Sequence, residues 1–471
     1  MKTIYIYFLL LLFSTFVVRA QNNSSKLSNS VNSKIETLAK AFLAQTHAAG
    51  MSIAISKNGD LIYADGFGYA NIEEGIKMEP TIRVRTASVA KVITATALGR
   101  LASEGKLDFD APIKKYVPYI NETYANLTTQ QLAGHTAGLE HRPKGNRYKK
   151  KQYTSIRETV ELMKAPLLFP PDTGYKYSTH AYNLLAAVIE GASGKSYLEY
   201  MQKYIFDPLK MVNTKAENIN MLSKKDAQLY YIKKNQLREE RITNGSYKIP
   251  GASFRSTSID LVKMMNAYST DFISEAVVAE MFKSHQLLNG TKTNVGIAWR
   301  TSIDPFGNKV IEHAGNWLGA RTVVAYFPEE NVSISLMVNT SCQVLIEETA
   351  HIFAQIVREH HKTNSLLRIK NQKVELTFNS NKGSKEFKGT LSFDQKNGLL
   401  ETTNDNFLKS NPIYYLGSKD HYTLATPYGL LYLSLLEKEF LEGRLYTYFN
   451  RQSVNPKQEK PLASFKSLRK N

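Results

Sequence analysis

Cysteine is almost missing from this chain of 471 residues: Cys342 stands alone. No intramolecular disulfide can form, so stability has to come from a packed core. Cys/His clusters and the His-Glu-x-x-His pattern are missing too, and the pair His360-His361 beside Glu359 reads as a solvated helix end. No metal and no cofactor is therefore expected. There is no Gly-x-Ser-x-Gly elbow, which argues against an α/β-hydrolase. Past the opening segment no run of about twenty apolar residues could cross a bilayer, and no repeat recurs at solenoid periods. Acidic residues are in deficit, 42 against 60 Lys+Arg, for a net charge of +18. Spread through lysine-rich loops and the tail, that excess reads as a solvated basic surface whose long-range field would also attract anionic partners.

What is present begins with Lys2, the apolar run Ile4 to Val18, and Val18-Arg19-Ala20 before Gln21. This is the pattern of a secretory signal peptide over 1–20, without a cysteine at the cleavage point to carry a lipid anchor. The expected mature chain is exported, periplasmic or secreted, and export argues against nucleic acid as its working partner. A leader follows over 21–32. Ile35, Leu38, Ala39, Phe42 and Leu43 then recur at helical spacing, predicting a helix over Ser33 to Gln45 with Ser33 and Glu36 as a capping box. Two apolar runs, Met51–Ile55 and Leu61–Ala64, flank Asn58-Gly59 and predict a hairpin.

The middle of the chain, to about Trp299, is helix-rich. Strands return at Lys309–Glu312, Arg321–Phe327 and Val332–Val338, before a helix from about Ile346 to His360. These patterns predict an α/β fold: one antiparallel sheet assembled from both ends of the first domain, flanked by helices, with a helical insertion between. That domain is placed at 33–361. Short alternating runs after a polar boundary near Lys362, with Asn397-Gly398 as a turn signal, predict a small β-rich domain over 366–452. The lysine-rich stretch 453–471 is expected to be a disordered basic tail.

The chemistry centres on Arg85-Thr86-Ala87-Ser88-Val89-Ala90-Lys91, which opens an apolar helical run. Three residues apart at a helix start, Ser88 and Lys91 share one face. A serine hydroxyl needs a base, and a desolvated, neutral lysine amine can act as one. Spacing alone decides nothing, because Ser103–Lys106 and Ser467–Lys470 share it and an isolated Ser88 would read as a helix-capping serine. Two further stretches give it company. Tyr177-Ser178-Thr179 sits in a polar turn entering an apolar helix, and His313-Ala314-Gly315-Asn316 ends a strand. Each alone reads blandly, Tyr177 as a half-buried packing tyrosine and His313 as a strand-end histidine.

Taken together and in order, these stretches resemble the serine β-lactamase and penicillin-binding-protein superfamily, in the branch of class C β-lactamases, D-Ala-D-Ala carboxypeptidases and related esterases. Gln131-Leu132-Ala133-Gly134-His135-Thr136-Ala137-Gly138-Leu139 and Pro250-Gly251-Ala252-Ser253-Phe254-Arg255-Ser256-Thr257 match further segments of that family. The resemblance implies the β-lactamase/transpeptidase-like fold, with Ser88 as nucleophile, Lys91 as its base and Tyr177 as proton relay. It assigns His313, Gly315, Asn316 and Thr179 to substrate binding, with the backbone N–H groups of Ser88 and Asn316 as oxyanion hole. Two departures carry physical content. Thr179 stands where asparagine is usual, removing an amide that would bond the acyl amide of a peptide or β-lactam. Ala314 replaces a hydroxyl residue that would grip a substrate carboxylate. The implied activity is acyl transfer to water from D-amino-acid peptides, cell-wall fragments, β-lactams or small esters. The competing expectation is a catalytically impaired binding or scaffold protein on the same fold.

Overall fold

The computed structural model describes residues 26–143, 151–234, 236–358, 372–380, 383–394, 397–402, 410–416, 421–437, 441–445 and 463–467. The signal segment 1–20, His360, His361 and most of the expected tail lie outside the described residues.

Helix α1 (Asn29–Thr46) buries Val31, Ile35, Leu38, Ala39 and Phe42 along one face. It starts ahead of the expected Ser33 cap. Val31 extends the apolar face back by a turn, and the hydroxyl of Ser28 caps the helix by accepting from the Val31 N–H at 3.4 Å. β1 (Gly50–Lys57) and β2 (Asp60–Asn71) form the predicted hairpin. Its two turn residues, Asn58 (φ 51°) and Gly59 (φ 83°), both sit in the left-handed region that matches the twist of the strands. β3 (Ile76–Lys77) borders β2.

The chain then leaves the sheet. β4 (Val84–Arg85) and a 3-10 turn, Ala87–Val89, lead into helix α2 (Ala90–Ser103). α2 is buried on nearly all sides, which is why its sequence is apolar throughout rather than striped. Within the insertion lie β5 (Lys215–Ala216), β6 (Tyr230–Lys233), β7 (Gln236–Glu239) and β8 (Phe254–Ser256), with β4 and β5 paired to β8. The chain returns through β9 (Arg300–Ile303), β10 (Lys309–Trp317), β11 (Ala320–Phe327), β12 (Val332–Val338) and β13 (Thr340–Ser341), then the helix Ile346–Arg358.

The main sheet has the order β3-β2-β1-β12-β11-β10-β9. It is antiparallel at every pairing, and the two chain ends meet where Met51 lies opposite Val338 and Lys57 opposite Val332. This is the assembly predicted from the sequence. Alternate residues serve opposite faces: Met51, Ile53, Val323 and Ile334 pack with α1 and the helix Ile346–Arg358, while Val324, Tyr326 and Met337 join the core of the insertion. Truncating one of them, as in Ile334→Ala, would cost about 2 to 5 kcal/mol.

The C-terminal β region closes into a barrel of eight strands, running from Gln372–Ser380 to Ala463–Ser467. Its last strand comes from the stretch expected to be a disordered tail. The alternation in Ala463-Ser464-Phe465-Lys466-Ser467 is too short to register among lysines, yet this strand pairs on both sides and closes the barrel. Asn397 and Gly398 are not a turn but open a strand, opposite Asp394 and Phe393. The barrel docks on the outer helices, away from the insertion: the Leu345 N–H donates to the Tyr428 carbonyl at 2.8 Å, and the Leu430 N–H to Thr349 Oγ1 at 3.2 Å.

Candidate active site

Ser88 lies within the 3-10 turn, two residues ahead of the α-helix that the sequence placed it on. The turn is held in an uncommon shape, with Ala87 at φ 47°, a conformation that costs a non-glycine residue about 1 to 2 kcal/mol. Thr86 N–H donating to the Phe254 carbonyl at 2.9 Å anchors it on β8. Half-buried Ser88 faces a cavity of about 960 Å³, while Lys91 lies fully buried beneath it.

Lys91 Nζ is 3.5 Å from Ser88 Oγ, 3.3 Å from Thr179 Oγ1 and 2.7 Å from the Gly251 carbonyl. Burial, and then the charge of Arg300, hold its pKa well below the ordinary lysine value. A neutral amine fits this environment atom for atom. Its two protons can go to the Gly251 carbonyl and Thr179, which leaves the lone pair for the Ser88 hydroxyl. Gly251 is required where it stands, because a Cβ there would meet Thr179 Cγ2 and the Thr179 carbonyl at 2.8 Å.

Tyr177 forms the next wall. Lys91 Nζ lies 4.8 Å from its ring centroid, and the ring packs on His135 at 4.4 Å and His141 at 5.7 Å. The loop around His135 is the bed for this segment: its carbonyl accepts from the Lys176 N–H at 2.9 Å, and its Nδ1 accepts from the Ser178 N–H at 3.2 Å. Burial foremost, and then the charge of Arg300, keep the His135 imidazole uncharged. The Gly134–Leu139 and Pro250–Thr257 stretches, which the sequence offered only as family matches, thus hold Tyr177, Thr179 and Lys91 in place.

The edge of β10 supplies the opposite wall. A Cβ on Gly315 would lie 2.4 Å from the Thr86 carbonyl and 3.0 Å from Ser88 N, so only glycine lets this strand approach the serine turn. Ala314, Gly315 and Asn316 line the cavity with Ser88, Tyr177 and Thr179. His313 does not. It is buried, its Nδ1–H donates to the Ala314 carbonyl at 2.8 Å, and burial, then the charge of Arg300, hold it neutral. His313 shares the strand face of Gly315, one pair of residues further back, where it is covered rather than part of the lining.

Sequence reasoning missed much of the remaining lining. Trp317, at the end of β10, carries the Lys248 ammonium 3.4 Å and the Arg85 guanidinium 4.0 Å from its ring centroid. Arg85 and Arg255 are both fully buried and share Glu217, at 3.0 and 2.9 Å, and Arg85 also donates to the Leu318 carbonyl. Arg300 on β9 pairs with Glu347 at 3.4 Å. No short motif marks these residues, because they come from separate loops and strands.

A sheet assembled from both chain ends, with a helical insertion presenting a Ser-x-x-Lys turn to the sheet edge, is the β-lactamase/transpeptidase-like fold. The profile of the family described as Beta-lactamase matches residues 35–351. The chain belongs to the Beta-lactamase family, a family of serine hydrolases. It is 30% identical over 291 residues to the serine beta-lactamase-like protein LACTB, mitochondrial, of Homo sapiens, a match covering 47% of this chain and 53% of that protein. The chain thus spans about half the length of the curated relatives it matches. Two solved structures share the fold. A beta-lactamase/D-alanine carboxypeptidase from Pseudomonas syringae aligns with TM-score 0.60 and 19% identity, over 71% of this chain and 99% of that one. An octameric penicillin-binding protein homologue from Pyrococcus abyssi aligns with TM-score 0.57 and 21% identity, over 88% and 98%.

Proposed function

We propose that this chain is an exported serine hydrolase that forms an acyl-enzyme on Ser88. The observation that carries the reading is the buried Lys91 amine, 3.5 Å from Ser88 Oγ and satisfied by neutral oxygens on its other sides. In acylation the Ser88 oxygen bonds the substrate carbonyl carbon and its proton passes to Lys91. The bond to the leaving group breaks as that proton is delivered to it, with Tyr177 as the relay. Water then attacks the ester, releasing acid and restoring Ser88. The N–H groups of Ser88 and Asn316 stabilise the oxyanion, brought together by the close approach at Gly315. Export rests on the apolar opening segment of the sequence.

Among substrates, small esters fit better than β-lactams. The Thr179 hydroxyl is engaged with Lys91, and Ala314 offers no hydroxyl to a carboxylate. Each missing hydrogen bond is worth about 1 to 3 kcal/mol.

The test is covalent labelling by a fluorophosphonate, read by intact mass. Wild type should gain one adduct, and Ser88→Ala none while keeping its fold. A wild-type protein that resists labelling would favour a binding or scaffold protein instead.

A further inference from the structure

The side chains around the cavity are strongly unbalanced in charge. Among the described residues lining it, five are cations, Arg142, Arg241, Lys248, Arg300 and Arg321, and one is a carboxylate, Glu347. Glu347 lies against Arg300. Arg321 donates to the neutral Asn316 side chain, and Lys248 is held over the Trp317 ring. His141 and His180, which also line the cavity, are held uncharged by burial and by neighbouring cations, at about 4 and about 3. They therefore neither add to the charge nor offset it near neutral pH.

A cleft with walls of one sign focuses its field on the space between them, and it raises the local concentration of ligands of the opposite sign. Glu347 offsets Arg300, and a single substrate carboxylate would balance only one of Arg142, Arg241 and Arg321.

We infer that the natural substrate of the Ser88 site is an acyl compound carrying at least two negative charges, gathered by Arg142, Arg241, Lys248 and Arg321. The inference rests on the hydrolase reading and narrows it. Neutral esters then serve as slow surrogates, and the deficit lies in kcat/KM rather than in acylation of bound substrate. The cations stand on separate segments: Arg142 beyond the His135 loop, Arg241 after β7, Lys248 ahead of Gly251, and Arg321 on β11. The charges of the ligand are correspondingly distributed along it rather than concentrated in one group.

Two chromogenic esters of matched reactivity would test this: the dianionic glutaryl ester of 5-hydroxy-2-nitrobenzoate and the neutral butyryl ester of 4-nitrophenol. The dianion should be favoured in kcat/KM by about tenfold or more at low salt. Its advantage should collapse as ionic strength rises from about 0.01 to 0.3 M, because the screening length shortens from about 30 Å to less than 8 Å. Arg142 and Arg241 are exposed, so Arg142→Gln with Arg241→Gln should fold normally. That variant should lose about tenfold on the dianion, chiefly through KM, and flatten its salt dependence. Fluorophosphonate labelling, run in parallel, separates the two ideas. A labelled enzyme that hydrolyses both esters equally, with no response to salt, overturns the charge inference alone. Absence of labelling overturns the hydrolase reading and this inference with it.

Discussion

Lys91 and Arg85 are six residues apart in sequence and equally removed from solvent, yet the fold treats their charges in opposite ways. Arg85 is given a carboxylate, Glu217, shared with Arg255. Burial lowers its pKa and Glu217 opposes that, and a guanidinium starts so high that it stays charged. Lys91 is given two oxygens of hydroxyls and one of a backbone carbonyl. With no carboxylate among its hydrogen-bond partners, burial pushes it toward the neutral amine. Burial alone therefore does not decide what a basic residue does here. The counterion does: the paired cation becomes a clamp behind Trp317, and the unbalanced one is pushed toward a neutral amine beneath Ser88, the base of the proposed mechanism.

The largest effect should come from removing that base. Lys91→Met keeps the shape and the apolar stem but has no lone pair for the serine proton. Its fluorophosphonate acylation rate should fall about a thousandfold, or ~4 kcal/mol, with little change in thermal midpoint. Equal labelling rates would show that the proton leaves by another route. The opposite partition is expected for Glu217→Gln. Two buried guanidinia would lose their shared counterion, and urea denaturation should report a loss of about 3 kcal/mol or more. Unchanged stability there would mean that the clamp contributes nothing beyond packing. The comparison can also be inverted at one atom. Thr179→Asp would set a carboxylate where Thr179 Oγ1 now lies 3.3 Å from Lys91 Nζ. Lys91 should then behave like Arg85 and remain charged, lowering acylation at neutral pH by about a hundredfold, or ~2.7 kcal/mol, with recovery as the pH rises.

Much of this arrangement was legible in the sequence, and the limits have physical causes. The Ser88–Lys91 pair, Tyr177, Thr179 and the Gly315 edge could be read because each is local: a helix start, a turn, a strand end. The two-ended sheet could be read because Met51–Ile55 and Val332–Val338 alternate or run apolar at strand length. The burial of His313, one pair of residues behind Gly315 on the same strand face, could not be read, because a motif fixes spacing along a strand but not what covers it. The counterion of Arg85 lies 132 residues away at Glu217, and the carbonyl that holds Lys91 lies 160 away at Gly251, distances at which no spacing rule operates. The β10 neighbour Arg300, whose charge helps to depress Lys91, sits on a short strand that the sequence pattern did not reveal. The barrel's closing strand was lost for a related reason, since five alternating residues are visible only once both partner strands are in place.

The central claim is that Lys91 is neutral at working pH and takes the proton of Ser88. A base acts only above its own pKa, so a depressed pKa moves the active range downward. The pH dependence of the Ser88 labelling rate, measured with an uncharged fluorophosphonate from pH 5 to 11, reads this directly. The account predicts a rate that reaches its plateau well below the ordinary lysine range, with that limb abolished in Lys91→Met. A rate that keeps rising through the ordinary lysine range, near pH 10, would show that Lys91 is charged in the folded protein and would contradict the account.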